Sequence, residues 1–327
     1  MCSLLSFSAA VSFSACTRAT ANDSAESAEQ TPKVYFTKEI TPESLVRMYD
    51  ALGVTIPENA RVAVKISTGE SKHTNHLRPD FIAPLLNHVN GRIVECNTAY
   101  PGNRNTTEAH RKAIEERGFV DVDIMDEEDT IRIPVQDTKW IQYDIVGSHL
   151  ANYDFMINLA HFKGHQMGGF GGVLKNQSIG VASSSGKAYI HSAGVTDDVN
   201  ECWNHIANQD GFLESMAAAA QAVHDYFKQD GRNIVYINVM NNMSIDCDCN
   251  AHPATPVLKD MGILASTDPV ALDRACLDLV FGHESMEGDD ADPLIQRIQQ
   301  MHGTHIVEYA EQIGLGSQQY TLIDLDK

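Results

Sequence analysis

The sequence predicts an α/β fold: mostly parallel sheets with flanking helices, two α/β halves around a cleft. Three observations carry that expectation. Short β-rich runs alternate with helix-period segments along the chain. The runs 155–160 (FMINLA) and 233–240 (NIVYINVM) hold no charge, as expected of strands covered on both faces. The chain has 327 residues, 43% of them hydrophobic, enough for one large or two ordinary domains.

Taken in order, residues 34–39 read as a strand. Residues 42–52 form a helix with Leu45, Val46, Tyr49 and Leu52 on one face. The run 61–66 (RVAVKI) is a buried strand, and 79–89 a helix with Pro79 in its first turn. A strand at 93–96 (IVEC) precedes a helix at 106–117 that Gly118 stops. Two short strands fall within 121–135. After the strand 155–160, a glycine-rich segment opens a helix at about 169–180, and a long helix covers 213–228. The strand 233–240 follows. Asp268-Pro269 starts a helix through Val280, two short helices come next, and 320–325 is a last strand. The acidic run 287–292 reads as a solvated loop. The expected organisation is a leader and tether at 1–33, an N-terminal α/β half at 34–150 and a C-terminal half at 151–327.

Asp and Glu number 44 against 24 Lys and Arg, a net charge of −20. Nucleic acid is not an expected partner, because phosphate contacts need clustered cations. No apolar run approaches the roughly 18 residues of a spanning helix. Residues 2–15 are apolar or small, and Phe13-Ser14-Ala15-Cys16 looks like a bacterial lipobox, although the positive n-region of a signal peptide is missing. The expectation is an exported lipoprotein of the periplasm or outer membrane, meeting a membrane only through its lipid. A cytoplasmic protein with a disordered leader is the alternative. The seven Cys have no framework spacing, so a disulfide scaffold is not expected.

The densest chemical signal is 161–191. It leaves the carboxyl end of the strand 155–160, where open α/β sheets place ligands. His161, Lys163 and His165 fall within five residues. Gly169, Gly171 and Gly172 then expose backbone N–H groups at a helix start, an arrangement that takes anions or phosphates. Lys175 and Asn176 lie one turn inside that helix, and Lys187 and His191 follow the next loop. The second signal is Cys247-Asp248-Cys249, with His252 nearby. Two thiolates at that spacing can hold one metal, and the other reading is unligated thiols or a disulfide. The third is the rim of the first half, where Arg78 and Arg104 are plausible clamps for a carboxylate or phosphate.

Seven strings, among them VAVKISTGE (62–70), CNTAYPGNR (96–104), HFKGH (161–165), GFGGVLKN (169–176) and CDCNAHP (247–253), resemble the family called domain of unknown function 362. The resemblance runs over about 34–282 and implies a fold and a pocket, with no settled reaction. Many members carry an inserted ferredoxin-like segment. This chain has no C-x2-C-x2-C run, so no [4Fe–4S] ferredoxin cluster is expected. A remoter resemblance is to lactate racemase-type enzymes with a nickel-pincer nucleotide. His165, Gly169-Phe170-x-Gly172, Lys175 and His191 fall in that family's order. It implies a tethering role for Lys175, a nickel-ligand role for His191 and an acid/base role for His165. Arg78-Pro79 and Gly102-x-Arg104 look like its substrate-side and cofactor-side motifs. Asn103 stands where that family would have a second acid/base His.

Together these readings predict a metal- or cofactor-binding cleft in an enzyme that acts on a small anionic substrate by redox or hydride/proton transfer. The expected catalytic groups are His165, Lys175 and Lys163. The expected anion or cofactor contacts are Gly169, Gly171, Gly172, Lys175, Asn176, Arg78 and Arg104. The expected metal ligands are His161, His191, Cys247 and Cys249, for nickel, iron or zinc. The ligand would be a small anion or a phosphate-bearing cofactor. A non-catalytic metal- or ligand-binding lipoprotein is the second reading.

Overall fold

A computed structural model describes residues 31–327. The leader and lipobox expectations, including Cys16, lie outside the described residues. The chain runs β1 (Lys33–Thr37), α1 (Pro42–Ala51), β2 (Val62–Lys65), α2 (Pro79–Val89), β3 (Gly91–Glu95) and α3 (Thr107–Glu116). Next come β4 (Asp123–Ile124), β5 (Thr130–Pro134), β6 (Tyr143–Gly147), β7 (Phe155–His161), β8 (Lys163–His165) and β9 (Gly169–Gly171). Then follow α4 (Val173–Val181), α5 (Ser184–His191), α6 (Gln209–Phe227), β10 (Asn233–Met240) and β11 (Gly262–Ser266). The chain ends with α7 (Pro269–Phe281), α8 (Asp292–Gln300), α9 (His305–Gln312) and β12 (Thr321–Asp324).

Local chemistry accounts for the helix ends. Thr41 and Ser44 cap α1 reciprocally, with Pro42 in the first turn. Pro79 opens α2, and Asn90 closes it in the left-handed region. The Asp268 carboxylate accepts the first free N–H groups of α7.

Eight strands form one sheet in the order β12-β1-β11-β10-β7-β2-β3-β4. The run from β10 to β4 is parallel, and β11 is antiparallel to both its neighbours. Strands from both sides of residue 150 therefore share one sheet. Alternation along the strands builds two cores. Ile234 and Tyr236 of β10 face a core shared with α4, α6 and α7. Val235, Ile237 and Val239 face one shared with α1 and α2. The Ala217–Ala220 run of α6 is buried throughout, and its small side chains let α4 and α9 pack closely. No helix among the described residues is long and apolar enough to cross a membrane.

The glycine-rich segment departs from expectation. The helix starts at Val173, and the residues before it form the hairpin β8–β9. Four parallel strands, β3, β2, β7 and β10, deliver their carboxyl ends to one edge of the sheet, and this hairpin sits there.

Candidate functional site

A cavity of about 290 Å³ opens at that edge. Its walls are the ends of β2 and β3 (Lys65, Glu95, Cys96), the loop through Arg104, the β8–β9 hairpin, α4, α5, and the loop carrying Cys247 and Cys249. That last loop is held against the hairpin at Gly164. A Cβ there would lie 2.3 Å from the Ile245 carbonyl oxygen, so only glycine permits the approach. The Gly164 N–H donates to Ser244 at 2.8 Å, and the Glu70 N–H donates to the Asp248 carbonyl at 2.7 Å.

Five cationic side chains (Lys65, Lys163, Lys175, Lys187, Arg104) and two carboxylates (Glu95, Asp248) line the cavity, in a chain whose net charge is −20. Most of these charges are already matched. Lys65 Nζ meets Glu95 at 2.8 Å. Arg104 meets Glu70 at 3.1 Å, Glu95 at 3.3 Å and the Tyr100 hydroxyl at 3.0 Å. Burial alone would raise the Glu95 carboxyl, and the Lys65 and Arg104 cations outweigh it and hold it well below the usual carboxylate range. Lys163 Nζ donates to the His161 carbonyl at 2.7 Å and meets Asp248 at 3.1 Å. Burial likewise opposes ionisation of Asp248, and Lys163 and His161 overcome it and depress its pKa. Lys187 donates to the Ala182 carbonyl.

Lys175 is different. Its amine has no hydrogen bond or ion pair among the described residues. Burial, with Lys163 and Arg104 nearby, lowers its pKa from 10.5 to about 7.

The histidines divide by what their nitrogens do. His161 Nδ1 meets Asp248 at 2.9 Å and Nε2 meets the Asn241 carbonyl at 2.6 Å. Neither nitrogen is left for a metal, so the expectation of His161 as a ligand is corrected. His165 Nδ1 accepts the N–H groups of Met167 (3.1 Å) and Gly168 (2.9 Å). Burial and the charges of Lys175 keep this ring neutral, so its proton sits on Nε2. His165 therefore presents a hydrogen-bond donor to the cavity, not the lone pair of a base. His191 has the opposite tautomer. Nδ1 donates to the Lys187 carbonyl at 2.6 Å, which leaves the Nε2 lone pair free. Burial lowers its pKa to about 4, and Phe212 and Trp203 pack on its ring. An N–H anchored on a backbone carbonyl is the usual support of a metal-binding imidazole.

The glycines do not form the expected anion cradle. Asp273 of α7 fills that place. Its carboxylate accepts from Val173 N at 2.9 Å and Leu174 N at 3.0 Å, the first N–H groups of α4. A Cβ on Gly172 would stand 2.2 Å from Asp273 Oδ1, so Gly172 makes room for the chain's own anion. Gly169 packs against Gly303. Gly171 lies in the cavity wall, where a Cβ would be 3.4 Å from Lys175 and 3.7 Å from Lys163.

Asn176 lines the wall but is used by Lys65 and Asn158. Arg78 is not part of the wall, and it binds the Thr74 carbonyl and His76 at the start of α2. Arg104 is in the wall with all three nitrogens engaged. Neither arginine stands ready as a clamp, which corrects that expectation.

Cys247 and Cys249 are joined as a disulfide, with Cys249 Sγ 3.8 Å from His165 Nε2. The two sulfurs and a ring nitrogen of His165 lie within 4.8 Å of one another. That trio fits a metal only after reduction and a change of the His165 tautomer. Cys96 is a buried wall thiol whose pKa burial raises, and Cys276 is buried in the core.

Two participants had readable signals. Glu95 is a carboxylate that follows the buried Ile93 and Val94 at the end of its strand. Asp273 is a carboxylate on an apolar helix stripe. A buried charge in such a place needs a partner.

Among solved structures, the chain is similar to the lactate racemase apoprotein of Thermoanaerobacterium thermosaccharolyticum, with 17% identity and a TM-score of 0.34. That similarity covers 63% of this chain and 50% of the other. It is also similar to a Thermotoga maritima protein from a structural genomics consortium, with 11% identity and a TM-score of 0.40 over 83% of this chain and 58% of the other. The chain thus spans about half the length of these structures. No curated protein matches it. Residues 62–278, more than half of the chain, match the family described as domain of unknown function (DUF362), and the chain belongs to that family.

Proposed function

We propose that the cavity is the active site of an enzyme acting on a small anionic molecule. The observation that carries this reading is the Lys175 amine, uncommitted, poised near neutrality, and set among other cations. An amine with a pKa near 7 is both nucleophile and proton carrier at working pH.

The residues divide the work as follows. Lys175 engages the substrate's or cofactor's electrophilic or acidic atom and exchanges protons there. His165 donates from Nε2 to a developing negative charge. Lys163, tied to Asp248, adds a fixed positive potential. The sequence resemblance over 165–191 also supports a bound metal or cofactor, and the free His191 Nε2 and the free Lys175 amine fit such a group. When bound, it would supply an electron or hydride acceptor beside the substrate. The proton-transfer role moves from His165 to Lys175, because the His165 tautomer has no lone pair facing the cavity.

The test is reductive trapping. The full chain is incubated with glyoxylate and borohydride across pH 6–9, and modified lysines are mapped by mass spectrometry. Lys175 should be the fastest-reacting lysine, with a midpoint near pH 7, and phosphate or lactate should protect it. Labelling spread evenly over surface lysines would overturn the reading. Metal analysis of protein from its native host, compared with Lys175→Ala, reports whether retention depends on this amine.

A further inference from the structure

The Cys247–Cys249 pair has no part in the roles proposed for Lys175, His165 and Lys163. We propose that it is a thiol–disulfide exchange site for small thiols that carry a carboxylate. The substrate class rests on the reading that the cavity takes small anions, and the exchange chemistry rests on the sulfurs themselves.

Both sulfurs are in the cavity wall. Cys249 is partly exposed and Cys247 is 1% exposed, so an incoming thiolate meets Cys249 first. Asp248 sits between them with its backbone carbonyl held by Glu70 and its carboxylate held by His161 and Lys163. That anchor keeps the two thiols adjacent after the bond opens. The Cys249 N–H points at Cys247 Sγ at 3.1 Å, a donor for a leaving thiolate. His165 presents its Nε2–H to Cys249 Sγ at 3.8 Å. Nearby cations and N–H donors stabilise thiolates, and a disulfide whose reduced form is stabilised is the more oxidising one.

The step balances with the reactants named. A substrate thiolate attacks Cys249 Sγ, the Cys247–Cys249 bond breaks, and Cys247 leaves as a thiolate with the electron pair. A second substrate thiolate attacks the substrate sulfur of the mixed disulfide and releases Cys249 as a thiolate. Two thiols are oxidised to one disulfide, and the protein disulfide is reduced to a dithiol. A second small disulfide reverses the same steps and restores the protein.

The experiment uses the full chain and three probes of similar size: mercaptoacetate, 2-mercaptoethanol and cysteamine. Opening of the 247–249 bond is followed by alkylation and peptide mapping, with rates expressed per thiolate. The net charge of the chain alone would favour the cationic probe. The cavity should reverse this, with mercaptoacetate about 10-fold or more faster than cysteamine. Offered dithiodiglycolate, the disulfide of mercaptoacetate, Cys247→Ser should keep a single mercaptoacetate on Cys249 and release the other as free thiol, and Cys249→Ser should trap none on Cys247. If either variant fails to fold, the order of rates in the unaltered chain decides. Equal or reversed rates would overturn the proposal, as would reduced thiols holding one zinc per chain. If Lys175 still traps glyoxylate in that case, the reading of the cavity stands without the exchange site.

Discussion

Lys65 and Lys175 face the same cavity, and their treatment by the chain is opposite. Lys65 ends a central strand, is fully buried, and is matched by Glu95, the Ile66 carbonyl and Asn176. Lys175 stands in the first turn of α4 with no partner among the described residues. The first lysine joins two strand ends to a helix. The second is left without an acceptor, and under the proposed function a ligand would supply one. Cation density therefore does not identify a functional lysine here. The absence of a matching acceptor is what the proposed function rests on.

The largest effect should come from breaking the matched side. Glu95→Gln leaves Lys65 and part of Arg104 buried without their carboxylate, and should cost about 3–5 kcal/mol in urea unfolding. A loss under about 1 kcal/mol would show that the Lys65 side is as uncommitted as the other.

Lys175→Met should act in the opposite direction. Trapping with glyoxylate disappears while the chain becomes more stable at pH 7. The sign follows from the lowered pKa. Between pH 7 and 10.5 the folded chain binds fewer protons at this group than the unfolded chain, so its contribution to stability rises with pH across that window. The advantage of Lys175→Met should shrink from pH 7 to pH 9, and an advantage that grows would refute the assignment.

Asp144 sharpens the same contrast away from the cavity. It is fully buried, and burial outweighs the Ile145 N–H and the charge of Lys187 and raises its pKa from 3.8 to about 7. Between these values the folded chain binds more protons than the unfolded chain, so this group costs stability as pH rises. Asp144→Asn should raise the melting midpoint by a few degrees at pH 8 and by less at pH 5. The smallest effect is expected at Arg78. Arg78→Ala should change stability by about 0.5 kcal/mol or less and leave Lys175 trapping unaltered.

The strands and helices were largely legible because period and capping are local. The strand 233–240 and the helix 79–89 match their expected bounds. The short β6, α5 and β11 passed unnoticed. Residues 184–191 (SSGKAYIH) carry little apolar periodicity, and Ser183 starts the helix through a cap on the Gly186 N–H. The site was legible as a set of residue types leaving strand ends. Its internal pairing was not, because that depends on contacts remote in sequence. Asp273 lies 100 residues from the Val173 N–H it accepts, and nothing near Gly172 announces that its anion comes from the chain itself. The two histidine tautomers were likewise unreadable, since each is set by which backbone group lies opposite the ring.

The place of β1 carries a consequence for biosynthesis. Its neighbours are β11 and β12, and the Ser266 hydroxyl donates to the Lys33 carbonyl across 233 residues. A ribosome releasing the chain from its N-terminus exposes this strand long before either neighbour exists. β2, β3 and β7 can assemble meanwhile, leaving one orphan ribbon with unpaired N–H and C=O groups until β11 and β12 have been made. Nascent chains stalled before residue 262 should therefore be vulnerable to protease at 33–37, and chaperones should be needed most during that interval.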